Sequence, residues 1–163
     1  MTFTTAGLAD DFSNEVDAAD PILRHFGGLT AFCGSIVTLD VYEDCGLLHE
    51  ALESPGQGKV LVADGGGSLQ RALLGQELAQ LAHENGWQGI IVHGCVRHVR
   101  HLAHIPIGVL ALAAAPLAAA QRGRGSSQKP VHFAGITFRE GQFVYADADG
   151  ILISVRDLLQ AEK

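Results

Sequence analysis

The sequence predicts an α/β domain with a parallel βαβ core and a C-terminal antiparallel meander, and three observations lead there. Between Val60 and Val96 an apolar run ends in Asp64 and three glycines, an amphipathic stretch follows, and a second apolar run comes after it. Strand, helix and strand within about thirty residues imply a right-handed crossover and a parallel pair. The second half instead strings short β-branched and aromatic runs between glycine turns, and Asp149-Gly150 is a hairpin signal. The 163 residues, 47% hydrophobic and 18% charged, suit one domain over residues 1–163 with a core of its own.

Taken in order, residues 6–20 read as a short acidic helix, and Pro21 opens a short segment that Gly27-Gly28 ends. Gly34 to Tyr42 is rich in β-branched residues and predicts a strand. Residues 44–54 place Leu47, Leu48, Ala51 and Leu52 on one helical face, stopped by Pro55-Gly56 and Gly58. Lys59 to Ala63 is a buried strand. Ser68 is placed to cap the next helix, whose apolar positions run through Leu69, Ala72, Leu73, Leu78, Ala79 and Ala82 to Asn85-Gly86. Gly89–His93 is a strand, Arg97–Ala103 a short helix and Ile107–Leu112 a further strand. Residues 116–130 read as a polar surface loop. Strands at Val131–Ala134, Ile136–Phe138, Phe143–Ala146 and Ile151–Ser154 follow, and a short helix over Val155–Glu162 closes the chain.

Charge and cysteine usage narrow the function. A net charge of −7 argues against a surface that wraps nucleic acid, although a local basic patch is compatible with it. Cys33, Cys45 and Cys95 are an odd count without CxxC spacing, which reads as reduced thiols in the cytosol. The N-terminus carries acids and no signal-peptide pattern. The apolar-rich run Ile105–Ala120 is broken by Pro106, Gly108 and Pro116, so no membrane span is expected.

Several motifs could carry chemistry. Asp64-Gly65-Gly66-Gly67-Ser68 fits neither dinucleotide nor P-loop spacing and reads as a tight strand-to-helix turn. Gly75 interrupts the helix expected from Ser68. Close packing against another backbone explains it, and so does a break that aims the amides of Gln76, Glu77 and Leu78 at a ligand. Arg97 lies just past a buried strand, where ligands collect in α/β sheets, and arginine grips a carboxylate bidentately. His98, His101 and His104 recur at i, i+3 spacing with Arg97 and Arg100 among them. With no acid or cysteine to complete a ligand set, they read as a solvated basic face. Asp147, Asp149 and Gly150 read as hairpin turn residues.

These residues also carry a resemblance. HFGG at 25–28, VYEDCGLL at 41–48, VLVADGGGSLQRALLG at 60–75, NGWQGIIVHGCVR at 85–97 and FAGITFREGQFVYADADGILIS at 133–154 together resemble the RraA family, regulators of ribonuclease activity A and their relatives. The resemblance implies a swivelling-domain-like β/β/α arrangement, a ring-shaped homotrimer and one of two functions. One is binding and inhibition of a ribonuclease E-type endonuclease and its associated RNA helicase. The other is a divalent-metal-dependent class II aldolase, which cleaves 4-hydroxy-4-methyl-2-oxoglutarate to pyruvate and decarboxylates oxaloacetate.

For the lyase, the resemblance implies substrate-binding amides at Gly75, Gln76, Glu77 and Leu78. Arg97 would act catalytically and hold the pyruvate-like end, with Mg²⁺ or Mn²⁺ as the cofactor. The family's metal-binding Asp is here His98, and its following acid position is His101. Magnesium prefers hard oxygen ligands, and imidazole suits softer metals. A weak or absent magnesium-dependent lyase is therefore expected, with no cofactor in the regulator case. A small keto acid or dicarboxylate remains a candidate ligand, and direct contact with nucleic acid is not expected.

Overall fold

The computed structural model describes residues 2–160. The first half contains α1 (Thr5–Asp11), β1 (Val16–Ala18), β2 (Arg24–His25), β3 (Phe32–Asp40), α2 (Gly46–Glu53), β4 (Val60–Asp64), β5 (Ala72–Leu74) and α3 (Gln76–Glu84). The second contains β6 (Gly89–Val96), α4 (Val99–Leu102), β7 (Gly108–Ala114), β8 (Ser126–Ser127), β9 (Val131–Phe133), β10 (Ile136–Phe138), β11 (Phe143–Asp147) and β12 (Gly150–Ser154). A 3₁₀ turn follows at Leu158–Gln160.

The expected parallel core and the last two strands of the expected meander are parts of one sheet, ordered β1-β12-β11-β3-β4-β6-β7-β2. β3, β4, β6 and β7 run parallel, with Leu61 beside Val37 and Ile90, and Ile91 beside Leu110. β11, β12 and β1 continue the sheet antiparallel from β3. The hairpin of β9 and β10 forms a separate two-stranded sheet.

Parallel strands need cover on both faces, because crossover helices take one side and something else must take the other. In β4, Leu61 and Ala63 join the helical layer with Leu48, Leu52, Ala79, Ala82 and Trp87. Val60 and Val62 point the opposite way, into a core with Phe133, Phe138, Val144 and Ile153. The chain from β9 to β12 thus supplies the lid on the back of the parallel sheet. A smaller cluster, Leu8, Tyr145, Leu152 and Leu158, seats α1 and the C-terminal turn on the outside of β11 and β12. No helix of the described residues is long and apolar enough to cross a membrane, and Cys33, Cys45 and Cys95 are free thiols.

Four expectations change. The acidic helix stops at Asp11, and Val16–Ala18 becomes an edge strand on β12, with Val16 opposite Ser154. The C-terminal helix is only the 3₁₀ turn at Leu158–Gln160, and residues 161–162 of the expected range lie outside the described residues. Ser68 caps no helix. Its hydroxyl donates to Glu43 at 2.6 Å, the chain re-enters the sheet as β5 beside β6, and α3 begins only at Gln76. The polar stretch 116–130 also contributes β8, paired with β3.

Candidate functional site

The site forms where β5 and β6 end side by side. The Arg97 amide donates to the Leu74 carbonyl at 2.9 Å, so the residues after each strand are brought together. Gly75 does not interrupt a helix: it is the N-cap of α3, in extended conformation. A Cβ on it would lie 2.9 Å from His98 Nδ1 and 3.5 Å from Arg97 Cγ, so the close approach of these neighbours explains the glycine. The close neighbours are side chains rather than another backbone, and the glycine stands at the start of a helix instead of breaking one.

Gly75, Glu77, Leu78, Arg97 and His98 line one cleft of ≈ 250 Å³, closed from the other side by Cys45, His49, Ala118 and Gln121. Gln76 lines an outer groove with Gln80, His101 and His104, while its amide reaches back to His98. Arg97 is half-buried, and among the described residues its guanidinium makes only a long 3.4 Å contact, to the Pro116 carbonyl. It therefore has donors to spare for a carboxylate. The Cys45 thiol is pushed up by burial and by the Asp44 charge, so it sits here as a neutral group.

The three histidines do not form one helical face. His98 is the left-handed N-cap of α4 at φ 58, His101 lies within α4 and His104 lies beyond it. His98 and His101 meet edge to face at 6.4 Å. The Gln76 amide donates to His98 Nδ1 at 3.1 Å, so that lone pair is already occupied at the start of α3.

The donor set beside Arg97 is a poor one for a hard divalent metal ion. Among the described residues no group of three or more His, Cys, Asp or Glu is arranged to hold one. Next to Arg97 in the chain stands an imidazole whose Nδ1 is engaged by an amide, and the carboxylate that lines the cleft is that of Glu77, whereas a hard cation needs several oxygens.

The glycine turn is closed on itself. The Gly65 and Gly67 amides donate to the His93 carbonyl at 3.1 and 3.0 Å, and the Gly66 amide to Asp64 Oδ1 at 2.9 Å. No amide of the three glycines is left for a phosphate, as expected of a structural turn. A contact unseen in the sequence reinforces it. Asp64 Oδ1 meets His93 Nδ1 at 2.9 Å, and the His93 ring stacks on Phe133 at 4.7 Å. Sequence reasoning also missed Cys45, His49, Ala118 and Gln121. They come from α2 and from the strap after Pro116, and only the register of Asp44 and Ala72 with that strap brings them near.

Residues 5–153 match the RraA-like family, described as Aldolase/RraA. The chain belongs to the RraA-like family. A relative from Aromatoleum aromaticum, provisionally named a 4-hydroxy-4-methyl-2-oxoglutarate aldolase, is 47% identical over 98% of this chain and 100% of its own length. A Pseudomonas aeruginosa relative with the same provisional name is 47% identical over 99% of this chain and 100% of its own. Among solved structures, the RNA-processing inhibitor RraA from Thermus thermophilus matches with TM-score 0.93 and 41% identity, covering 98% of both chains. A Geobacillus kaustophilus protein named as an S-adenosylmethionine:2-dimethylmenaquinone methyltransferase matches with TM-score 0.93 and 42% identity, over 96% of this chain and 98% of that one. This RraA-like chain therefore shares its whole fold with proteins bearing three different functional names. The choice among them has to come from the site.

Proposed function

We propose that this RraA-like chain is a regulator of RNA degradation, which binds and inhibits a ribonuclease E-type endonuclease and its associated RNA helicase. One observation carries the reading. Where the resemblance requires a metal-binding carboxylate beside Arg97, the chain holds His98, its Nδ1 engaged by the Gln76 amide. The similarity to the Thermus RNA-processing inhibitor supports it. So does the net charge of −7, which complements the arginine-rich tails that such nucleases use on RNA. The acting form is a homotrimer in the cytoplasm, competing for the tail rather than binding RNA. The test is a ribonuclease E cleavage assay with purified protein and an arginine-rich tail fragment. Salt-sensitive binding and slowed cleavage are expected, and no binding at low salt overturns the reading.

A second reading is favoured by the provisional names of the curated relatives and by Gly75 and Arg97 facing one cleft. It is a class II aldolase for 4-hydroxy-4-methyl-2-oxoglutarate, with oxaloacetate decarboxylase activity. Incubation with oxaloacetate and Mg²⁺, Mn²⁺, Co²⁺ or Zn²⁺, following pyruvate, separates the two. No turnover with Mg²⁺ is expected. Robust turnover that Arg97→Ala abolishes reverses the ranking.

A further inference from the structure

Across the strap from Arg97 lies a second cleft, of ≈ 450 Å³, whose walls include Tyr42, Arg71, Arg122 and Arg124. Three exposed guanidiniums on one cleft are unexpected in so acidic a protein. Among the described residues none of the three is in an ion pair. Among the described residues the only side-chain hydrogen bond of the three is a long 3.4 Å one from Arg71 to the Ala118 carbonyl.

Two carboxylates, Asp44 and Glu43, also line this cleft, and both accept hydrogen bonds from neutral groups rather than pairing with the arginines. Asp44 is 2% exposed, and its carboxylate accepts the amides of Gly46, Arg122 and Gly123 at 2.9 to 3.2 Å. Burial opposes its charge, yet these amides together with that of Arg124 hold its carboxyl below the usual range. Asp44 thus anchors the backbone of the arginine loop and leaves both arginine side chains outside. Glu43 is tied to the Ser68 hydroxyl at 2.6 Å.

The fourth wall is aromatic. Tyr42 is 65% exposed. Its ring lies on Gly66, where a Cβ would be 2.8 Å from Tyr42 Cδ1, and Gly66 has φ +70. The turn therefore supports one side of the ring from behind while most of the side chain stays open to solvent. Tyr42 follows β3 and Gly66 follows β4, so the cleft sits at the carboxyl edge of the parallel strands, where α/β sheets bind ligands.

A pinned aromatic face beside unpaired guanidiniums matches a nucleotide: bases stack on aromatic rings and phosphates take charge-assisted hydrogen bonds from arginine. We infer that Tyr42, Arg71, Arg122 and Arg124 bind a free nucleotide carrying two or more phosphates, with its base on Tyr42. The cleft volume suits a small molecule. A long strand would meet the repulsion of the surrounding negative charge, so the site takes the mononucleotide.

The test is calorimetric titration of the full-length protein with ADP at low salt, beside pyrophosphate and a series of oligoribonucleotides. ADP is expected to bind in the micromolar range and to weaken as salt rises. Arg122→Gln and Arg124→Gln should each weaken it about tenfold. Tyr42→Ala should weaken ADP about tenfold and leave pyrophosphate unchanged, while Tyr42→Phe retains binding. All three positions are exposed, so circular dichroism should show folded variants. Absence of ADP binding, or binding indifferent to all of these variants, overturns the inference. So does affinity that grows with oligonucleotide length past that of ADP. No ribonuclease or keto acid enters the experiment, so its failure leaves the proposed function standing.

Discussion

The two halves of the sheet treat their polar groups in opposite ways. In the antiparallel half, polar side chains close on one another. Asp147 accepts the Thr5 amide and hydroxyl at 2.8 and 2.6 Å, the Tyr145 hydroxyl accepts the Leu158 amide at 2.7 Å, and Arg156 pairs with Glu15 at 2.6 Å. At the carboxyl edge of the parallel half, Arg71, Arg97, Arg122 and Arg124 keep guanidinium donors free. The comparison teaches a division of labour: paired side chains fasten α1 and the C-terminal turn to β11 and β12, while at the parallel edge, where Asp44 and Asp64 are also satisfied, the arginines are what a ligand can reach. Mutations in the lid should therefore cost stability, and mutations at the edge should cost binding.

The lid should break hardest at its centre. Phe138 is fully buried and stacks on Phe133 at 4.6 Å. Phe138→Ala should destabilise by about 3–5 kcal/mol in urea unfolding, because it leaves a cavity behind β4. If the protein still binds ligands at its edge while folded, the division holds.

Tyr145 gives the next largest effect. Burial pushes its hydroxyl up to about 12. The folded protein thus favours the neutral phenol, whereas the unfolded chain ionises near the ordinary value of about 10. Stability from this group is full below that value and is lost as pH rises toward 12, by at most about 2 kcal/mol. Alkaline denaturation followed by tyrosine absorbance should show this loss, and Tyr145→Phe should remove that pH dependence.

Asp147 should act in the opposite direction and more weakly. Burial opposes its charge, but the Thr5 hydroxyl and amide and the amides of Asp149 and Gly150 hold its carboxyl below the usual range. Its contribution is present above the ordinary carboxylate range and disappears as acid protonates it. Asp147→Asn should flatten the acid limb of the stability curve and cost about 1 kcal/mol near neutrality, measured by thermal unfolding across pH.

Arg97→Ala should leave stability within about 0.5 kcal/mol, as expected for a side chain with one long contact. Binding of a small carboxylate such as pyruvate should fall at least about tenfold in calorimetry. A large loss of stability without a loss of binding would place Arg97 with the lid and blur the comparison.

How much of this was legible beforehand follows from the same contrast. The parallel pair was readable because Val60–Ala63 and Gly89–His93 are apolar runs that only a doubly covered strand tolerates. The hairpins were readable from Gly135 and Asp149-Gly150. β5 was not. Ala72, Leu73 and Leu74 are all buried, so they fit helical and strand periods alike, and pairing with β6 settles the matter. β1 was hidden for a related reason: Val16–Ala18 has little apolar pattern, and β12 recruits it from the far end of the chain. At the site, Gly75 and Arg97 carried a local or family signal. His49 and Gln121 carried none, because tertiary contact alone brings them to the cleft.

The smallest change is the sharpest test. His98→Asp replaces an imidazole by the carboxylate whose absence sets this chain apart from the lyase pattern. The fold should tolerate it. His98 sits at φ 58, a conformation aspartate adopts more readily than most residues. The new charge would also lie at the N-terminus of α3, where the helix dipole favours it, so stability should move by under about 0.5 kcal/mol. The chemistry should move much more. An oxygen donor at position 98 adds a second carboxylate to a cleft that already holds Glu77 beside Arg97, so magnesium should bind and pyruvate should appear from oxaloacetate. That gain, absent in the wild-type protein and abolished again by Arg97→Ala, would show that one side chain separates the lyase from the regulator. If His98→Asp gains neither magnesium binding nor turnover, the difference does not rest on His98, and the regulator reading loses the observation that carries it.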